Sequence, residues 1–303
     1  MDESSRRGYI VGIGASLAGL LAGCTGRAPV ADPRARGEAD GEKTPSNPEP
    51  VSTPSAPENP RLEDRLPDPA AVGGRYTFGA FRWTRLREAN LARGTLRPGR
   101  FVPGALQDIL PDTEYSLTIN TGQAAGGTLH GSYAEGTVES ALLDGGFSRA
   151  AEGFRNESLA VAVEEDVVRW ADAPDSTDAI IDAFGGRREG RDQRYTDAAP
   201  SLAPVLAATD PASARFARPL AVDSGPFEAS TYLATGITPE GDGVRWRSAV
   251  GFEGTVPPQA RERFRERYAE LDGVESIEMR TDESLIVVDV MTTADVITSI
   301  QPL

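Results

Sequence analysis

The sequence predicts an α+β domain: a mixed or antiparallel sheet with helices on one face, behind an N-terminal signal segment and a spacer. Three observations carry this. Short apolar runs alternate with period two, most cleanly in Glu114-Tyr115-Ser116-Leu117-Thr118-Ile119. One long stretch, Pro257 to Leu271, has helical periodicity and caps. Aromatic residues are absent from Thr25 to Ala70 and then recur from Tyr76 onward, so order is expected to begin near Gly74. The 303 residues suffice for one or two domains with a core.

The aromatic-rich run Arg75 to Trp83 reads as the first strand, and Glu114 to Ile119 as the second. Thr128 to Tyr133 is a third, with Leu129 and Tyr133 on one face and His130 on the other. A short helix should start at Thr137, turn Val138, Ala141 and Leu142 inward, and stop at Gly145-Gly146. Ser158 to Val163 and Val167 to Ala171 then read as two strands around Glu164-Glu165-Asp166. Ser176 to Phe184 has the form of a capped helix closed by Gly185-Gly186, and Ser201 opens another with Leu202, Val205 and Leu206 on its apolar side.

After a loop near Asp223 to Pro226, Thr231 to Thr235 and Val244 to Phe252 form hairpin strands joined through Glu240-Gly241-Asp242-Gly243. In the helix from Pro257, Thr255 is placed to cap and Asp272-Gly273 to terminate. Ala260, Phe264, Tyr268 and Leu271 make a narrow apolar stripe. Its arginines alternate with glutamates at helical spacing, as in Arg263/Glu266 and Arg267/Glu270, which is a solvated face rather than a basic patch. Leu285 to Val290 is nearly continuous in apolar residues, the signature of a strand central in its sheet. Only Asp289 interrupts it; a carboxylate there needs a wetter face or an arginine partner.

An internal repeat is readable. Gly131-Ser132-Tyr133, a helix, Asp144-Gly145-Gly146 and Asn156 to Val163 parallel Gly251-Phe252-Glu253, a helix, Asp272-Gly273-Val274 and Asp282 to Val288. Each reads strand, helix, strand, strand, as in half of a ferredoxin-like unit, and suggests subdomains at 71–220 and 221–303.

Composition narrows the chemistry. There are 46 acidic against 31 basic residues, a net charge of -15, with Lys43 the only lysine. Such a chain repels phosphate backbones, so nucleic acid is excluded as a partner. One cysteine and one histidine can build neither a disulfide nor a zinc site, and no cofactor motif is present. Gly12-Ile13-Gly14-Ala15-Ser16-Leu17-Ala18-Gly19 lacks the third glycine of a dinucleotide-binding turn and the preceding strand, and misses a nucleophile elbow by one residue.

His130 alone could serve a triad, and a solitary strand histidine is most often a hydrogen-bonded bystander. Asp172, Asp175 and Asp178 lack the central glycine and terminal glutamate of a calcium loop. Asn156-Glu157-Ser158 is a glycosylation sequon.

The informative motifs are N-terminal. Arg6-Arg7 precede an apolar run from Ile10 to Ala22, too short for a bilayer that requires ~20 apolar residues and suited to a signal-peptide core. Leu21-Ala22-Gly23-Cys24 follows as a lipobox, with the chain's only cysteine at the lipidation position. This assigns residues 1–23 to a signal peptide. Residues 24–70, rich in Pro, Ala, Ser and acids, then form a disordered, semi-stiff spacer ahead of the globular region 71–303. Lys43 lies in that spacer, away from any fold.

Twin arginine at Arg6-Arg7, a lipobox at Cys24, an acidic spacer and an acidic, lysine-poor domain together resemble haloarchaeal twin-arginine-exported lipoproteins. The stretch from Gly131 to Pro200 is similar to an uncharacterised group of them, through Ile180-Ile181-Asp182-Ala183 and Tyr195-Thr196-Asp197-Ala198-Ala199-Pro200. The resemblance implies export in folded form and lipid anchoring at Cys24 on the extracellular face of the cell membrane, and implies no activity. The expected function is a non-enzymatic, partner-binding or envelope-associated surface module. The alternative is an extracellular hydrolase using paired carboxylates, assisted by His130.

Overall fold

A computed structural model describes residues 65–157, 159–173, 177–185, 195–220, 227–269 and 273–299. Packing begins earlier in the chain than expected. Leu66 and Val72 are buried, and Tyr76 Oη donates to the Pro67 carbonyl at 2.7 Å, so the segment just before Gly74 already belongs to the core.

Strand β1, Thr77–Arg82, runs directly into helix α1, Trp83–Glu88. A 3-10 stretch at Gly104–Asp112 leads to β2, Thr113–Asn120, and β3, Ala125–Gly131. Helix α2, Thr137–Asp144, follows, and Gly146 at φ 83° supplies the left-handed residue that stops it. The chain then meanders through β4 (Ser148–Ala150), β5 (Gly153–Asn156), β6 (Leu159–Val163) and β7 (Val167–Asp172). Helices α3 (Thr177–Gly185), α4 (Tyr195–Ala198) and α5 (Leu202–Ala208) lead to β8, Ala214–Pro219. Last come β9 (Ser230–Glu240), β10 (Gly243–Phe252), α6 (Pro258–Ala269), β11 (Val274–Asp282), β12 (Leu285–Thr292) and α7 (Ala294–Ser299).

Among the described residues all the strands join one 12-stranded sheet in the order β11-β12-β10-β9-β8-β1-β2-β3-β7-β6-β5-β4. Each pairing is antiparallel, which decides between the mixed and antiparallel alternatives. The expected subdomains share this sheet, because β8 pairs with β9 on one side and β1 on the other.

The expectation of helices on one face is corrected: they cover both. Alternation along the strands divides each between two cores. Phe78 and Ala80 of β1, Leu117 and Ile119 of β2 and Ala249 of β10 pack with Ile180 of α3, Tyr195 of α4 and Leu202, Val205 and Leu206 of α5. The opposite side of β10 and β12, through Trp246, Val250, Ile286, Val288 and Val290, packs with Ala260, Phe264 and Tyr268 of α6 and Ile297 of α7. On that same side further along, Leu129, Val168 and Trp170 meet Val138 and Leu142 of α2 and Leu106 and Ile109 of the 3-10 stretch. A sheet this long has two apolar faces, and one layer of helices cannot cover both.

Some close contacts depend on small residues. A Cβ at Gly126 of β3 would stand 2.6 Å from Ile180 Cγ2, so α3 sits against bare backbone there. Where β1 becomes α1, Trp83 is fully buried, stacks on Phe81 at 4.6 Å and donates from Nε1 to Ser116 Oγ at 2.9 Å. Arg87 of α1 donates to the carbonyls of Leu110 and Thr113, tying the helix to the entry of β2.

Two parts of the chain share a plan. The hairpin β9–β10 leads to α6, then β11 and β12, with β12 between β10 and β11. The hairpin β2–β3 leads to α2, then four strands, of which the last, β7, pairs with β3. The first part thus carries more strands after its helix than the expected strand-helix-strand-strand pattern.

Candidate functional site

Cys24, Arg6 and Arg7 lie outside the described residues, as do Leu271, Asp272 and the loop from Asp223 to Pro226. Asn156 ends β5 and is half-buried; it pairs across a tight turn with Leu159, the first residue of β6. Glu157, in that turn, has φ 46°, and Ser158 lies outside the described residues.

His130 is held in a polar and aromatic nest on the α3 side of β3. Strand register sets it opposite Tyr115, with ring centroids 5.7 Å apart, and the Arg65 guanidinium lies over the Tyr115 ring at 5.0 Å. Nε2 stands 3.3 Å from Arg65 Nη1 and 3.2 Å from Thr128 Oγ1. A guanidinium can only donate, so Nε2 accepts and the imidazole is neutral. Burial first, and then the Arg65 charge, lowers its pKa to about 4; Asp166 pulls the other way, and Arg169 adds a smaller lowering. A ring whose acceptor is occupied by an arginine is not placed to take a proton from a nucleophile. Thr128, the adjacent hydroxyl, is itself buried.

Two clefts lie on the same side of the sheet as His130. The larger, about 330 Å³, opens at the end of α5 against β10, β12 and β11. Ala207, Ala208, Leu285 and Val287 form its apolar wall, and Arg247, Arg280 and Asp282 its charged rim. The centre of this charge group is Asp289, the carboxylate that interrupts the apolar run of β12. Arg247, directly opposite on β10, donates from Nε at 2.5 Å, and Arg280 on β11 donates from Nη2 at 2.8 Å to the other oxygen. Arg247 also reaches the Ala208 carbonyl at 3.4 Å, near the C-terminus of α5, where a cation is favoured. The sequence marks Asp289 as needing a wetter face or an arginine; that arginines serve, and which ones, follows only from the strand register.

The smaller cleft, about 230 Å³, lies between α3 and the β5–β6 region. Glu152, Asp178 and Asp182 line it, and Arg155 pairs with Asp178. A glycosidase requires one carboxyl as general acid and another as nucleophile or base on either side of the scissile bond, and here Asp178 is engaged by Arg155. Among the described residues no group of His, Cys, Asp and Glu could hold a metal ion, and no helix is long and apolar enough to cross a membrane.

No family model matches the chain, and no curated protein matches it. The chain is similar in fold to solved structures of TP0453. Crystal form I gives a TM-score of 0.50 at 8% identity over 77% of this chain and 96% of that one. Crystal form III gives 0.50 at 9% identity over 78% and 98%. At this identity the likeness is one of fold alone.

Proposed function

We propose that the chain is a lipid-anchored surface protein, exported already folded and tethered through Cys24 to the extracellular face of the cell membrane. In this reading its α+β domain serves as a non-enzymatic module that binds a partner or associates with the envelope. The observation that carries this is the place of the sole cysteine. It stands directly behind Leu21-Ala22-Gly23 and a short apolar run headed by Arg6-Arg7. Residues 25–64 then act as a spacer holding the domain off the lipid surface.

The acidic, lysine-poor composition fits a protein working in concentrated salt, as in the haloarchaeal lipoproteins it resembles. The shared plan of β2 to β7 and β9 to β12 supports an ancestral duplication of a ferredoxin-like unit, with a β-hairpin added to the first copy. The Asn156 sequon, on a turn between two strands, is a candidate site for an attached glycan.

The test is cell fractionation. Cys24→Ser should move the protein from the membrane pellet to the soluble or secreted fraction; a variant that remains as firmly bound as the parent would refute the anchor. Changing Arg6-Arg7 to Lys-Lys should leave the protein inside the cell, and unchanged surface exposure would remove the twin-arginine route.

A further inference from the structure

The sheet has two ends of different character. At one, β4 is three residues long and exposed along its length, too short to template another strand. At the other, β11 runs nine residues, Val274–Asp282, and among the described residues no strand pairs with its outer side. We propose that β11 is a self-association edge, pairing antiparallel with β11 of a second copy about a two-fold axis at Met279.

Ladder geometry selects the register. Asp282 pairs with Leu285 across the two-residue turn of Glu283 and Ser284, which makes it a hydrogen-bonded pair. Alternation then directs the N–H and C=O groups of Ile277, Met279 and Thr281 away from β12, toward solvent. With the axis at Met279, that residue meets its own copy and Ile277 meets Thr281 of the second copy. These pairs use the outward groups for about six backbone hydrogen bonds.

Charge favours the same register over its neighbours. Glu278 is exposed and lies directly opposite Asp289 within the chain, two like charges side by side. The two-fold at Met279 places Arg280 of each copy opposite Glu278 of the other, in the closer, non-hydrogen-bonded type of pair. The row across the sheet then runs Arg247, Asp289, Glu278 and the second copy's Arg280, which gives Glu278 a cation on its open side. Moving the axis to residue 278 would oppose two glutamates, and moving it to 280 would oppose two arginines. Because β11 meets only itself, the interaction closes as a dimer rather than extending into a filament.

Sedimentation of the full chain in a mild non-ionic detergent tests this. The parent should be a dimer with a dissociation constant on the order of 10–100 μM, as suits a small interface. Glu278→Arg or Arg280→Glu alone turns both symmetric pairs repulsive and should weaken association at least about tenfold. The double reversal should restore it. Thr281→Pro removes an outward N–H while leaving the β12 ladder intact, and should also give monomers with an unchanged circular dichroism spectrum. A monomeric parent, larger open-ended assemblies, indifference to the single reversals, or failure of the double reversal to restore association would each overturn the proposal.

Discussion

Asp289 shows how a single side chain can look misplaced in the sequence and be well satisfied in the fold. Its carboxylate is 14% exposed, and both oxygens accept from guanidinium groups. Removing it leaves Arg247, only 20% exposed, without its ion-pair partner. Asp289→Ala is therefore expected to cost about 2 kcal/mol in urea denaturation, between the values for exposed and for fully buried pairs. Arg280→Ala, at a side chain 62% exposed, should cost under about 1 kcal/mol.

His130 makes a second prediction at this scale. Its folded pKa lies near 4, below the ordinary 6.5, so the unfolded chain binds a proton first as pH falls. The stability tied to the neutral ring is complete above pH 6.5 and is lost progressively down to pH 4. Between pH 7 and 5.5, before most carboxylates titrate, the denaturation midpoint should fall for the parent and fall less for His130→Gln. Equal slopes would contradict the neutral, Arg65-bonded ring. The sequence already marks His130 as a solitary strand imidazole; its Arg65 and Tyr115 neighbours come from register and from a segment expected to be spacer.

Elements were legible where one face is apolar and both ends are punctuated. Helix α6 is the clear case. Ala260, Phe264 and Tyr268 are all buried and Arg263 meets Glu266 at 3.2 Å, as their spacing indicates. Phe264→Ala should lower stability by about 3 kcal/mol, within the range for a buried aromatic. Strand β8 was not legible: Ala-Arg-Phe-Ala-Arg-Pro has little alternation, and only its place between β1 and β9 makes it a strand. Likewise β4 and β5 are too short for a periodic signal. The fit of α3 on β3 has its own test. Gly126→Ala would drive a methyl group into Ile180 and should cost about 1–3 kcal/mol by thermal denaturation.

For the whole molecule, the sequence indicates α+β but not that one sheet carries both helical layers. Strand order depends on pairings between residues far apart, such as Phe78 with Ala217, which no local pattern reports. The net charge of -15 acts at this scale as well. Mutual repulsion of carboxylates should destabilise the fold in dilute buffer, and screening to roughly 3 Å at 1 M salt should relieve it. The melting temperature is thus expected to rise with sodium chloride, and a salt-independent value would count against a protein adapted to brine.

Anchoring is the central claim, and the N-terminal peptide of the protein from native membranes tests it most directly. Mass spectrometry should find a chain that begins at Cys24 with a lipid bonded to its sulfur. A peptide running intact through Gly23-Cys24-Thr25 with an unmodified thiol would contradict it.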